Sequence, residues 1–147
     1  MKLRKATQAD YPRLIGLWES SVRATHHFLS EQDIAFFKPL ILDQYFDAVE
    51  LRVAEAQPGT IQGFVGVAQG NIEMLFVDPV FHGQGVGRAL LEEAVDQMDA
   101  RCVDVNEQNP DALHFYLHCG FTVTGRSERD GMGKPFPLLH LKLRTRT

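Results

Sequence analysis

The sequence predicts an α/β domain, a mixed β-sheet of about seven strands flanked by about four helices, with antiparallel hairpins at both ends and a parallel pair at the centre. Three observations lead there. Strand-like and helix-like runs alternate through the middle of the chain. Turn dipeptides, Pro58-Gly59 and Gly70-Asn71, separate neighbouring strand-like runs. The 147 residues, 44% apolar and 10% aromatic, suffice for one sizeable core, and we read residues 1–147 as a single domain.

Taken in order, Leu3-Arg4-Lys5-Ala6 reads as a short first strand. Asp10 is placed to cap a helix with Pro12 early and Leu14, Leu17, Trp18, Ser21 and Val22 along one face. Thr25 to Leu29 interrupts that period, and Ser30-Glu31-Gln32-Asp33 spells a capping box for a second helix aligning Ile34, Phe37, Ile41, Tyr45 and Ala48. Pro39 should kink or split it. Glu50 to Gln57 and Thr60 to Gln69 read as a hairpin. Ile72 to Val77 is apolar almost throughout, which predicts burial on both faces, with Glu73 its one charged member.

Val86 to Met98 predicts a helix with Val86, Leu90, Leu91, Ala94, Val95 and Met98 inward. Cys102 to Asn106 is a short strand that puts Cys102, Asp104 and Asn106 on one side. Asn109 caps a further helix, Pro110 takes its permitted first position, Ala112, Phe115, Tyr116 and Cys119 form its apolar face, and Gly120 ends it. Phe121 to Glu128 and Leu138 to Leu143 close the chain as a hairpin across the loop 129–137.

A formal net charge of −4, from 15 basic and 19 acidic side chains, argues against a nucleic-acid partner. No charged leader followed by an apolar run opens the sequence, and no apolar run approaches the roughly 20 residues of a membrane span. Two cysteines are too few for a disulfide scaffold. The expectation is a cytoplasmic protein with reduced thiols, away from membranes, as a monomer or homodimer. His114 and His118 have the helical spacing of a metal pair but lack a third ligand, so no metal is expected.

The chemistry concentrates in Val77-Asp78-Pro79-Val80-Phe81-His82-Gly83-Gln84-Gly85-Val86-Gly87-Arg88, where an apolar strand runs into a glycine-rich turn and then a helix. Glycines remove side chains where a ligand must come close, and the first-turn N–H groups point at an anion. The dinucleotide fingerprint would need glycine at position 88, which is arginine, and the only Gly-Lys pair precedes proline, which excludes the Walker pattern. The stretch resembles instead the coenzyme A pyrophosphate loop of the GNAT superfamily of N-acetyltransferases, with Val77-x-Pro79 leading into Gly83-x-Gly85. Asn109-x-x-Ala112-x-x-x-Tyr116-x-x-x-Gly120-Phe121 looks like the second cofactor segment of that superfamily, and segments such as Ser21 to His26 look like its bacterial YjaB-type branch. His82 departs from the usual arginine or glutamine.

The resemblance implies the GNAT fold and acetyl-CoA as cofactor. It places the cofactor on Leu75, Phe76, Val77, His82, Gly83, Gln84, Gly85, Val86, Gly87, Arg88, Asn109, Ala112 and Tyr116. The acetyl group would pass directly to a primary amine, of a small molecule or a protein, in a ternary complex. A phenol with an ordinary pKa of about 10 stays protonated at neutral pH, which makes Tyr116 the candidate acid for the departing thiolate; a merely core role is its alternative. Glu73 and Asp104 compete as base, or as buried carboxylates that only accept hydrogen bonds, and Asn106 could orient a water or the acceptor. The acceptor wall would be His26, His27 and Phe28, with Met132 and Phe136 as neighbours. A non-catalytic acyl-CoA-binding domain is the alternative function.

Overall fold

Apolar residues of 51–54 and 61–67 build the centre of a first sheet. The computed structural model describes residues 1–144, which form two compact units meeting at Ala100 and Arg101 in the sequence. In the first, β1 (Lys2–Lys5), β2 (Glu50–Glu55), β3 (Ile61–Ala68) and β4 (Asn71–Val77) pair in that order, each antiparallel to the next. Gln69 and Gly70, at φ 51° and 79°, make the β3–β4 turn; two consecutive left-handed residues match the strand twist.

Three helices cover this sheet: α1 (Tyr11–Thr25), α2 (Glu31–Leu40) and α3 (Val86–Gln97). Two glycines of β3 mark its faces. A Cβ on Gly63 would meet Leu90 of α3 at 3.0 Å, while one on Gly66 would meet Val49 at 2.9 Å and Met74 at 3.2 Å. Val49 and Met74 belong to the cluster of Leu14, Leu17, Trp18 and Val22 of α1, Ile34 of α2, Phe46 and Phe64. Burial on both faces is therefore a property of β3, whose residues 61–67 are all buried. The expectation for Ile72 to Val77 is corrected: Ile72 and Met74 are buried, Glu73 is exposed, and Leu75, Phe76 and Val77 are half-buried. The register supplies the reason. Gly66 faces Met74 and Val67 faces Ile72, so Glu73 is the extra residue of a β-bulge, which bends the strand and re-aims its side chains.

Two local expectations also change. The Ser30 box forms as read, with Asp33 N–H donating to Ser30 Oγ at 3.1 Å and Ser30 N–H to Asp33 Oδ2 at 2.9 Å. Beyond Pro39, however, the chain relaxes into a π-helical turn (Ile41–Tyr45) and a 3-10 turn (Phe46–Ala48). Asp10 does not cap α1 with its side chain. It accepts two hydrogen bonds from Arg4, both at 2.9 Å, and one from Thr7 N–H at 2.8 Å, and the guanidinium holds its carboxyl below the usual range.

In the second unit, β7 (Leu138–Leu143) lies between β5 (Cys102–Asn106) and β6 (Phe121–Ser127), antiparallel to both. Val103, Val105, Phe121 and Leu141 are buried on the face that meets α4 (Pro110–His118), where the rings of Tyr116 and Phe121 lie 5.5 Å apart. The other face carries Cys102, Asp104, Asn106 and, across the ladder, His140 and Lys142. No helix among the described residues is long and apolar enough to cross a membrane.

Candidate active site

At the end of β4, Asp78 pairs with Arg13 at 2.9 Å and accepts Val80 N–H at 3.2 Å, opening a 3-10 turn over Pro79–Phe81. His82 then turns back, its Nε2 3.1 Å from the Val77 carbonyl oxygen. A carbonyl only accepts, so that nitrogen carries the proton. The histidine that departs from the usual pattern thus pins the loop to its strand.

Gly83 and Gly85 follow at φ 78° and 80°, and nothing lies within 4 Å of a Cβ built on either. The left-handed backbone selects glycine at both, and the space above them stays open to a ligand. Gly87 lies within the helix without a positive φ. Gly85 is the N-cap of α3, whose first backbone bond runs from Ala89 N–H to the Gly85 carbonyl at 3.1 Å. The N–H groups of Val86, Gly87 and Arg88 in the first turn accordingly have no intrahelical acceptor. No acidic side chain occupies this turn to offset the positive end of the helix dipole. Open space, N–H donors and positive potential together fit a pyrophosphate. The Gln84 and Arg88 side chains are exposed beside it, and Arg88 also reaches Glu92 at 3.3 Å.

Behind β4, His26 ends α1. Thr25 Oγ1 donates to the Ser21 carbonyl at 2.8 Å, so its single proton is committed, and it must accept from His26 Nδ1 at 2.8 Å. This fixes the tautomer: Nδ1 holds the proton and Nε2 keeps its lone pair. Burial, with a smaller contribution from His27, lowers the His26 pKa from the ordinary 6.5 to about 4. The neutral ring sits 5.3 Å from the Phe28 ring and 6.2 Å from that of Phe76 on β4. His27 is exposed.

In the second unit Asn109 is buried and its Oδ1 accepts Ala112 N–H at 3.3 Å, capping α4 as the sequence indicates. Tyr116 is buried between Phe115 and Phe121, and this burial, with Cys119 adding to it, raises its pKa above the ordinary phenol value. Its hydroxyl has no hydrogen-bond partner among the described residues, nor is it one of the sealed, unsatisfied side-chain atoms. Ala112 is half-buried. Met132 is exposed and Phe136 half-buried in the loop between β6 and β7. His114 and His118 are exposed on α4.

Neither carboxylate is the buried group that the sequence reading assumed. Glu73 is exposed at the bulge, and Asp104 is exposed with its Oδ1 2.6 Å from His140 Nδ1. Asn106 is half-buried at the end of β5, and its carbonyl accepts Asn109 N–H at 2.9 Å, which turns the chain into α4. Sequence reasoning missed His140 and Ser127, whose Oγ is 2.6 Å from His140 Nε2. The alternation of β7 placed His140 on a sheet face, but nothing local reveals which residues stand across the ladder. The neutral state of His26 was equally hidden, since it depends on burial against β4.

Residues 47–123 match the acetyltransferase (GNAT) domain family. The chain is 39% identical over 141 residues to the peptidyl-lysine N-acetyltransferase YjaB of Salmonella typhimurium, covering 96% of this chain and 97% of that protein. It is 38% identical to the YjaB of Escherichia coli, covering 96% and 95%. The solution structure of apo-form YjaB from Escherichia coli matches the fold with a TM-score of 0.86 over 96% of this chain and 95% of that one, at 38% identity. The PaiA N-acetyltransferase of Thermoplasma acidophilum, solved in complex with coenzyme A, shares the fold at a TM-score of 0.74 and 21% identity, over 97% and 98% of the two chains.

Proposed function

Since the chain belongs to the GNAT family of acetyl-CoA-dependent N-acetyltransferases, whose α/β fold it has, we propose that it acetylates the side-chain amine of lysine in a protein or peptide. The observation that carries the cofactor half is the open cradle over Gly83 and Gly85 at the bare N-terminus of α3. The names of relatives at 38–39% identity carry the acceptor.

In this reading the N–H groups of Val86, Gly87 and Arg88 hold the pyrophosphate, with His82 fixing the loop and Gln84 at its rim. Leu75, Phe76 and Val77 would hold the pantetheine arm, and a backbone N–H of β4 would stabilise the charge that develops on the thioester oxygen. Asn109 and Ala112 shape the start of α4 for the same ligand. Acetyl-CoA supplies an acyl group activated as a thioester.

Tyr116 gives its proton to the departing sulfur. Its raised pKa keeps it protonated at every working pH, though it also makes the phenol a weaker acid. For the base, Glu73 has no hydrogen-bond or ion-pair partner among the described residues, whereas Asp104 is engaged by His140. On that ground Glu73 is the base in this reading, directly or through one water, with Asp104 as the second candidate and Asn106 as an orienting group. His26, His27 and Phe28 of the first unit and Met132 and Phe136 of the second are the candidate acceptor contacts, and the His26 Nε2 lone pair would be available to an amine N–H.

Incubation with acetyl-CoA and a lysine peptide tests the proposal. Free thiol should appear in step with N-acetyllysine, and acetyl-CoA at a hundred times its Kd should add about 2.7 kcal/mol to stability. Stabilisation without thiol release from any amine would leave a binding domain; no stabilisation would remove the cofactor assignment itself.

A further inference from the structure

On the face of the second unit opposite α4, three side chains on three neighbouring strands are joined in series. Asp104 of β5 meets His140 Nδ1 at 2.6 Å, and Ser127 of β6 meets His140 Nε2 at 2.6 Å. An ionised carboxylate only accepts, so Asp104 places the ring proton on Nδ1. The lone pair on Nε2 is then left for the Ser127 hydroxyl proton.

The sheet is shaped for this chain. Asp104 stands directly opposite His140 in the ladder, while Ser127 stands opposite Leu138 on the same face. That placement needs the register shift between Val123 and Gly125. In an unshifted register Thr124 itself would stand opposite His140, and period-two alternation would turn Ser127 to the α4 face. Thr124 donates its hydroxyl to the His140 carbonyl at 3.1 Å, which anchors the bulge to the histidine it serves. Gly125 lies opposite His140, and even a Cβ there would come within 3.6 Å of the ring, so the imidazole lies across a position without a side chain. Side-chain exposures of 36% for His140 and 41% for Asp104 leave the group within reach of a reagent. An exposed pair of this kind adds about 1 kcal/mol or less to stability, too little to account for the arrangement by folding alone.

We propose that Ser127, His140 and Asp104 form a second nucleophilic site, at which Ser127 takes an acyl group from an activated ester or thioester and gives it up to water. Ser127 Oγ attacks the acyl carbon as its proton passes to His140 Nε2. The bond from that carbon to the leaving oxygen or sulfur breaks, and the leaving group takes the proton from Nε2. Water then attacks the Ser127 ester with His140 again as base, releasing the carboxylic acid and restoring the hydroxyl. Asp104 holds the ring in the tautomer that both steps require.

The proposal does not draw on the acetyltransferase reading, and its test uses no coenzyme A. The full-length protein is treated with an alkyl fluorophosphonate, then separately with 4-nitrophenyl acetate, and followed by intact mass and peptide mapping. One adduct is expected, on Ser127. Ser127→Ala should abolish it, Ser127→Cys should still be acetylated by the ester, and His140→Gln should slow labelling by about a hundredfold or more. Asp104→Asn should slow it by a smaller factor, with all four variants melting near the parent. Absence of an adduct, an adduct mapped to another residue, or equal rates in the parent and His140→Gln would overturn the assignment.

Discussion

In residues 1–100 the groups proposed to hold the cofactor belong mainly to the main chain, namely two left-handed glycines and the N–H groups of the first turn of α3, and the side chain of Glu73, the proposed base, is presented by a backbone bulge in β4. From residue 101 on they are side chains: Tyr116 on its apolar bed, Asn109 at its cap and the Asp104–His140–Ser127 series. The two units therefore tolerate change differently. A main-chain site survives the loss of most side chains but not a change of backbone conformation, whereas a side-chain site can be emptied by one atom while its fold persists.

The sharpest way to break this contrast is Tyr116→Phe. Removing one oxygen leaves both ring contacts intact and should lower kcat by about 10²–10⁴-fold, with the melting temperature and the KM for acetyl-CoA little changed. Steady-state thiol release checks it, and an unchanged kcat would reduce Tyr116 to core.

His26 departs from the pattern of the first unit as a side chain whose state depends on burial. Its folded pKa of about 4 lies below the ordinary 6.5, so between these values the unfolded chain takes up a proton that the folded chain refuses. Stability should fall as pH drops through that window, by up to about 3 kcal/mol, and should not depend on this group above it. Urea unfolding at several pH values should show this contribution to the slope, and His26→Gln should remove it.

Gly85→Ala tests the backbone argument. No atom crowds the added methyl, so the cost is that of φ 80° alone, about 1–2 kcal/mol, accompanied by weaker acetyl-CoA binding in calorimetry. Gly16→Ala is the control. It lies in α1 with equally open space and no positive φ, and should stabilise by up to about 1 kcal/mol. If both substitutions destabilise alike, backbone conformation is not what selects glycine in the loop. The smallest effect is expected from Asn109→Ala, which removes the cap on Ala112 N–H and should cost about 1 kcal/mol in thermal unfolding.

Much of this was legible in the residues because it obeys local rules. The glycine loop, the Ser30 box, the Asn109-Pro110 start of α4 and its end at Gly120 are each set by neighbours within one turn of chain. The misreadings share a cause. Asp10 fits a cap by its local neighbours yet is taken by Arg4 across the turn, and the apolar content of β4 does not say which strand two helix layers enclose. Pro39 was correctly read as a disruption, but not the π-helical turn through which the chain recovers.

By itself, then, the sequence determined the order and kind of the elements and the anion cradle at residues 83–88, because period, caps and turn chemistry act over a few residues, and the motifs at 77–88 and 109–121 carried the resemblance to the family. The tertiary structure alone decided which side chains meet: His26 against Phe76, Glu73 raised on a bulge, and Ser127 turned toward His140 and Asp104. Those meetings depend on strand register, and a shift of one residue sends every side chain beyond it to the other face of the sheet.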